Sequence, residues 1–104
     1  MAIKKIVRKL VPGARVVVRT YSAGVVIGTF LEMSEDGKRV ALADSQQVWE
    51  WHGAFTVGGL AVSGPSSAKL GPKEPETETT DAIRVIVMTA EAAQRFDAIA
   101  PHKL

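Results

Sequence analysis

The 104-residue chain has no cysteine. That removes disulfide frameworks, thiolate metal sites, iron–sulfur clusters and thiol nucleophiles together, and it fits a reducing compartment. Aromatic residues are scarce as well: two Trp, one Tyr and three Phe. No apolar run approaches the roughly 20 residues that a membrane-crossing helix requires. The opening Met-Ala-Ile-Lys-Lys-Ile-Val-Arg-Lys-Leu-Val interleaves Lys and Arg with its apolar positions, so it does not read as a secretion signal. A soluble protein with no membrane partner is expected.

Catalytic and cofactor motifs are also missing. The chain has no Walker-type phosphate loop, and the glycines between Gly53 and Gly64 do not follow a dinucleotide fingerprint. No nucleophile with its base, no paired carboxylates and no metal-ligand spacing stand out. His52 sits beside Trp51 in a turn and His102 in the tail, so a two-histidine site would depend on folding alone. The expectation is a non-enzymatic binding protein without cofactor or metal.

What the chain does have is an uneven charge distribution. Its formal net charge is +2. Residues 1–20 hold Lys4, Lys5, Arg8, Lys9, Arg15 and Arg19 without an acid, whereas Glu74, Glu76, Glu78 and Asp81 gather later. Such a basic arm suits phosphate, and it equally suits the acidic segment of a second copy.

The length suits one domain, 1–104, with a core of its own. Ile3, Ile6, Val7, Leu10 and Val11 are spaced for a short helix ending at Pro12-Gly13, and a basic edge strand or loose arm over 1–13 fits as well. From Ala14 the pattern is β. Arg15, Val17, Arg19 and Tyr21 share one face of an extended run, while Val16, Val18 and Thr20 share the other, which places Val16 and Val18 in the core.

Ser22-Ala23-Gly24 turns into a strand over 25–33, in which Gly28 marks a bulge or a close backbone approach. Asp36-Gly37 supplies the positive φ of a tight hairpin. A third strand over 39–43, a turn at Asp44-Ser45 and a fourth strand over 47–51 complete a meander, with both Trp residues on one face.

Residues 53–64 fit one helical turn or a short strand. The Pro-, Ser-, Gly- and Lys-rich stretch within 65–80 reads as a surface loop. A strand over 81–88 follows, and then a helix over 89–100 capped by Thr89, with Ala92, Ala93, Phe96, Ile99 and Ala100 as its apolar stripe. The predicted fold is mainly β with an α+β character: a small curved antiparallel sheet or partly open barrel with a C-terminal helix. An open sheet also has edges, and a second copy is the simplest cover, so a homo-oligomer is expected.

Two places carry the candidate site. Trp49 and Trp51, two residues apart on a strand, suit either the core or a stacking platform for a base, with Arg19, Tyr21 or Arg84 supplying charge and hydrogen bonds. Arg19-Thr20-Tyr21-Ser22-Ala23-Gly24 brings a guanidinium, two hydroxyls and a phenol into one turn, which suits a ligand loop and a hairpin end alike. The candidate ligand-binding residues are therefore Arg19, Tyr21, Ser22, Trp49, Trp51 and Arg84.

The wording of these two islands, Arg-Thr-Tyr-Ser-Ala-Gly-Val-x-x-Gly-Thr, then Asp44, then Val48-Trp49-x-Trp51-x-Gly53-Ala54, resembles a family of small uncharacterised proteins encoded by bacteriophages and prophages. Ser45-Gln46-Gln47 departs from the basic residues expected before the first Trp, which argues against a phosphate role for that strand. The resemblance implies a phage or prophage origin, a location in the host bacterial cytoplasm and stoichiometric action on host machinery. On that footing the expected function is a homo-oligomeric sponge for a small nucleotide-derived signalling molecule of host defence. Two alternatives remain: a virion or assembly component, and a nucleic-acid-binding accessory protein working through Lys4, Lys5, Arg8 and Lys9.

Overall fold

A computed structural model describes residues 10–101. The helix or arm anticipated at the N-terminus therefore lies almost wholly outside the described residues, as does His102. Leu10 and Val11 are not helical, and Leu10 packs against the strands.

Six strands and two short helices follow in the order β1 (Arg15–Thr20), β2 (Val25–Met33), β3 (Val40–His52), α1 (Val57–Val62), β4 (Ser67–Leu70), β5 (Glu74–Thr79), β6 (Ala82–Val87) and α2 (Ala90–Asp97). The strands form one antiparallel sheet in the order β4-β3-β2-β1-β6, with β5 also paired to β3. The sheet is curved and does not close, as the alternation of apolar residues predicts. The β2–β3 hairpin turns at Gly37, whose φ of 77° is a conformation that glycine adopts without penalty. The Asp36 carboxyl beside it is held below its ordinary pKa by the Ser34 hydroxyl and the Lys38 N–H.

The third and fourth strands anticipated from the sequence are one strand. Asp44 is not a turn residue but a bulge in β3, with φ of 50°, a left-handed conformation that Asp tolerates better than most residues. The register confirms the extra residue: two steps along β2, from Ile27 to Thr29, oppose three along β3, from Gln46 to Ala43. Beyond this bend β3 changes its second partner. Val40 to Ser45 pairs with β5, and Val48 to His52 pairs with β4. Gly28 faces the bend, where a Cβ would lie 3.2 Å from both the Leu42 Cβ and the Ser45 Cα. The close approach expected of this glycine is thus present.

The bend gives the sheet two apolar faces. Val16, Val18, Val26, Phe30, Val40, Leu42 and Ala82 form one buried cluster, with Leu10 and Val85 packed against it. Val17, Val25, Ile27 and Val48 face the other way and pack against Leu60 and Ala61 of α1 and Ala92 and Phe96 of α2. Val17 is therefore fully buried, although its alternation with Arg15 and Arg19 suggests an outer face. Period-two patterning identifies which side chains share a face but does not say that helices will cover the second one.

The segment 65–80 is a further correction, since it contains β4 and β5 rather than a continuous surface loop. Pro75 and alternating Glu and Thr are loop-like in composition, yet these are also the residues that protect an edge strand from further pairing. Residues 53–64 resolve as α1, capped by the Thr56 hydroxyl accepting from Gly59 N–H at 3.0 Å. The Thr89 cap of α2 is as expected, its hydroxyl accepting from Ala92 N–H at 3.1 Å and donating to the Val62 carbonyl at 2.6 Å. The helix stops at Asp97, short of the expected residue 100, and leaves Ala100 exposed.

Candidate functional site

The end of the sheet where β1 runs out is distorted by two bulges, and each displaces an apolar side chain. Between β1 and β6, one step from Arg19 to Thr20 opposes two from Arg84 to Ala82, which leaves Ile83 without a partner. Between β3 and β4, two steps from Val48 to Glu50 oppose one from Leu70 to Lys69, which makes Trp49 the extra residue of that register. Bulges of this kind re-aim side chains. Ile83 is 61% exposed and Trp49 is 66% exposed, high values for residues of such size.

The second bulge also separates the two tryptophans. With an extra residue at position 49, Val48 and Trp51 both reach the helix-covered core, and Trp51 is half-buried against it. Its indole N–H donates to the Ala54 carbonyl at 3.1 Å, which fixes the ring. The expected flat pair of indoles is replaced by one anchored ring and one projecting ring. The projecting ring has a cation above it, since Lys69 Nζ stands 5.8 Å from the Trp49 ring centroid.

Arg19 occupies the middle of this region. It is exposed, and its direct cross-strand partner on β6 is Arg84, also exposed. Neither guanidinium has an ion pair or side-chain hydrogen bond among the described residues, whereas Arg15 reaches Asp97 at 2.9 Å and Arg39 Nε reaches Glu78 at 2.9 Å.

Two recesses adjoin at Arg19 and Trp51, which line both. The first, of about 550 Å³, adds Arg84, Phe55 and Ile83. The second, of about 710 Å³, adds Trp49, Gln47 and Ser22. Both volumes lie in the range of small-molecule sites, about 300–1,000 Å³. Both are open to solvent; β1 and β3 contribute to both, β6 to the first and the start of β2 to the second.

The turn over residues 20–24 is a structural part of this region. The Thr20 hydroxyl donates to the Gly24 carbonyl at 2.8 Å and accepts from Ala23 N–H at 2.9 Å. Asp81 accepts from both the N–H and the hydroxyl of Ser22, and its carbonyl accepts from Tyr21 N–H at 2.9 Å. Gln47 Nε2 donates to the Ala23 carbonyl at 2.7 Å. The two hydroxyls that make this stretch resemble a ligand loop are thus committed to holding it closed. Ser22 retains only acceptor capacity towards a guest.

Of the six candidate residues, Arg19, Ser22, Trp49 and Trp51 meet in the second recess, while Arg84 joins Arg19 and Trp51 in the first. Tyr21 lines neither, and its ring is 82% exposed. Phe55, fully exposed at the rim, and Ile83 were not singled out from the sequence. An aromatic next to Gly53 and Ala54 is a weak signal for the first, and a bulge defined by pairing across strands leaves no local trace for the second. The basic residues Lys4, Lys5, Arg8 and Lys9 lie outside the described residues. Among those described, no cluster of His, Asp and Glu has the arrangement of a metal site, and no helix is long and apolar enough to cross a membrane.

Comparison with known proteins places residues 13–96 in a family described as a domain of unknown function (DUF6948). No curated protein and no solved structure matches the chain.

Proposed function

The chain belongs to the DUF6948 family, and from its geometry we propose that it is a non-enzymatic protein that binds a nucleotide-like anion between Arg19 and Arg84, with Trp51 and its neighbours receiving the base. The observation that carries this reading is the Arg19–Arg84 pair. Like charges directly opposite across two strands destabilise a sheet, and these two have no carboxylate to offset them among the described residues. An anionic guest would supply the missing charge, and a phosphate matches the forked donors of two guanidinium groups.

Exposed aromatic surface beside that charge favours an organic phosphate over an inorganic one. Stacking on an aromatic side chain is worth about 1–3 kcal/mol per base. Among the described residues, those lining the first recess include neither a carboxylate nor a histidine that could act as general base. Stoichiometric capture without turnover fits that lining. Together with the resemblance to phage-encoded proteins, it supports sequestration of a nucleotide signal in a bacterial host as the biological role.

Isothermal titration with nucleoside 5′-monophosphates and with inorganic phosphate tests the reading. Binding of the nucleotides at least tenfold tighter than phosphate is expected, lost in Arg19→Ala and weakened in Arg84→Ala, with the nucleotide recovered intact. Equal affinity for phosphate and nucleotide, or unchanged binding by both variants, would overturn it.

A further inference from the structure

The two recesses adjoin. They share Arg19 and Trp51, and each has an exposed aromatic that the other lacks: Phe55 in the first and Trp49 in the second. A shared charge with a separate exposed aromatic in each adjoining recess suits a ligand whose own charge lies between two planar groups. We propose that the site takes a base–phosphodiester–base unit, with the phosphate at Arg19 and one base in each recess. This deepens the nucleotide reading and rests on it.

Three features support a two-base guest. Each recess by itself is large enough for one nucleotide unit, at about 550 and 710 Å³. The second recess has no guanidinium besides the shared Arg19 among its lining residues. A base entering it therefore depends on a phosphate already held at the junction. Finally, the two recesses offer different surroundings. The first places Phe55 and Ile83 at its apolar rim, whereas the second has the Gln47 side chain, whose amide is tied to Ala23, next to Trp49. Two unlike base sites are thereby built around one anion site.

The shared chemistry is a base–phosphodiester–base unit, and it has two sources: a free dinucleotide, or a step within a single strand. Both recesses open to solvent, so length dependence distinguishes the sources. Titration of the full chain with a nucleoside monophosphate, the matching dinucleotide and an oligonucleotide of about ten residues separates the cases. The expected result is one dinucleotide per chain, bound roughly 5- to 150-fold more tightly than the monophosphate, as one additional stacked base implies. Trp49→Ala and Phe55→Ala should each bring the ratio of the two affinities towards one. Both side chains are exposed, and an unchanged unfolding midpoint in each variant verifies that the fold is kept.

A free dinucleotide as the natural guest predicts no gain from the dinucleotide to the longer strand. A strand step predicts a further gain that falls with salt, because additional phosphates meet additional cations. Monophosphate and dinucleotide binding with equal affinity would overturn the two-base site while leaving the nucleotide reading intact. Failure of all three to bind would overturn both.

Discussion

Arg84 is where binding and stability pull apart. Its position opposite Arg19 is the least favourable cross-strand pairing the sheet contains, and it is maintained without a compensating carboxylate among the described residues. Replacing one charge of such a pair recovers the 0.2–1 kcal/mol range typical of cross-strand interactions, roughly, with exposure placing it at the lower end. Arg84→Gln should therefore unfold at slightly higher denaturant concentration than the parent at low salt, and the difference should shrink at 1 M salt, where the screening length is about 3 Å. The same variant should bind the nucleotide more weakly. An arginine retained for packing would lower both quantities instead, so urea titrations at two salt concentrations decide between the roles.

At the scale of elements, the ease of reading the sequence depended on whether the cause was local. Asp36-Gly37, Gly28 and the Thr89 cap are local determinants, and each acts as its residue type dictates. The bulges at Trp49 and Ile83 arise from mismatched pairing between strands distant in the chain, and no neighbouring residue announces them. This explains why the sequence offers Arg19, Trp49, Trp51 and Arg84 as candidates without showing their division between two recesses. Pro75 and its glutamates resemble a loop for a related reason: the composition that protects a strand edge is also that of a turn-rich segment.

The Thr89 cap provides a test at this scale, because its hydroxyl accepts from Ala92 N–H and also donates to the Val62 carbonyl, joining the start of α2 to the end of α1. Thr89→Ala should cost about 1 kcal/mol for the cap, with a further penalty for the carbonyl left without its donor. Thr89→Ser retains both bonds and should recover most of the loss. Equal losses in the two variants, measured by chemical denaturation, would show that the methyl group and not the hydroxyl matters.

Among the described residues the sheet has two covered faces and ends at β6, the edge at which a second copy would be most readily accommodated. Its sequence, Ala-Ile-Arg-Val-Ile-Val, combines high β propensity with a single charge and no proline. Among the described residues β1 is the only strand paired with it, and Ile83 and Val87 are both exposed along it. β5 shows the opposite design, with Pro75 and three glutamates along an exposed strand. An isologous contact between two copies of β6 would continue the sheet and remove the open edge. Arg84 lies near the middle of β6, so that contact would also bring two anion sites together and couple assembly to ligand charge. Light scattering at micromolar concentration should therefore report a dimer, strengthened by the bound nucleotide. Val87→Lys places a charge on the same edge outside both recesses and should shift the equilibrium to monomer without unfolding the chain. A parent protein that is monomeric with and without nucleotide would show that β6 is left as a free edge.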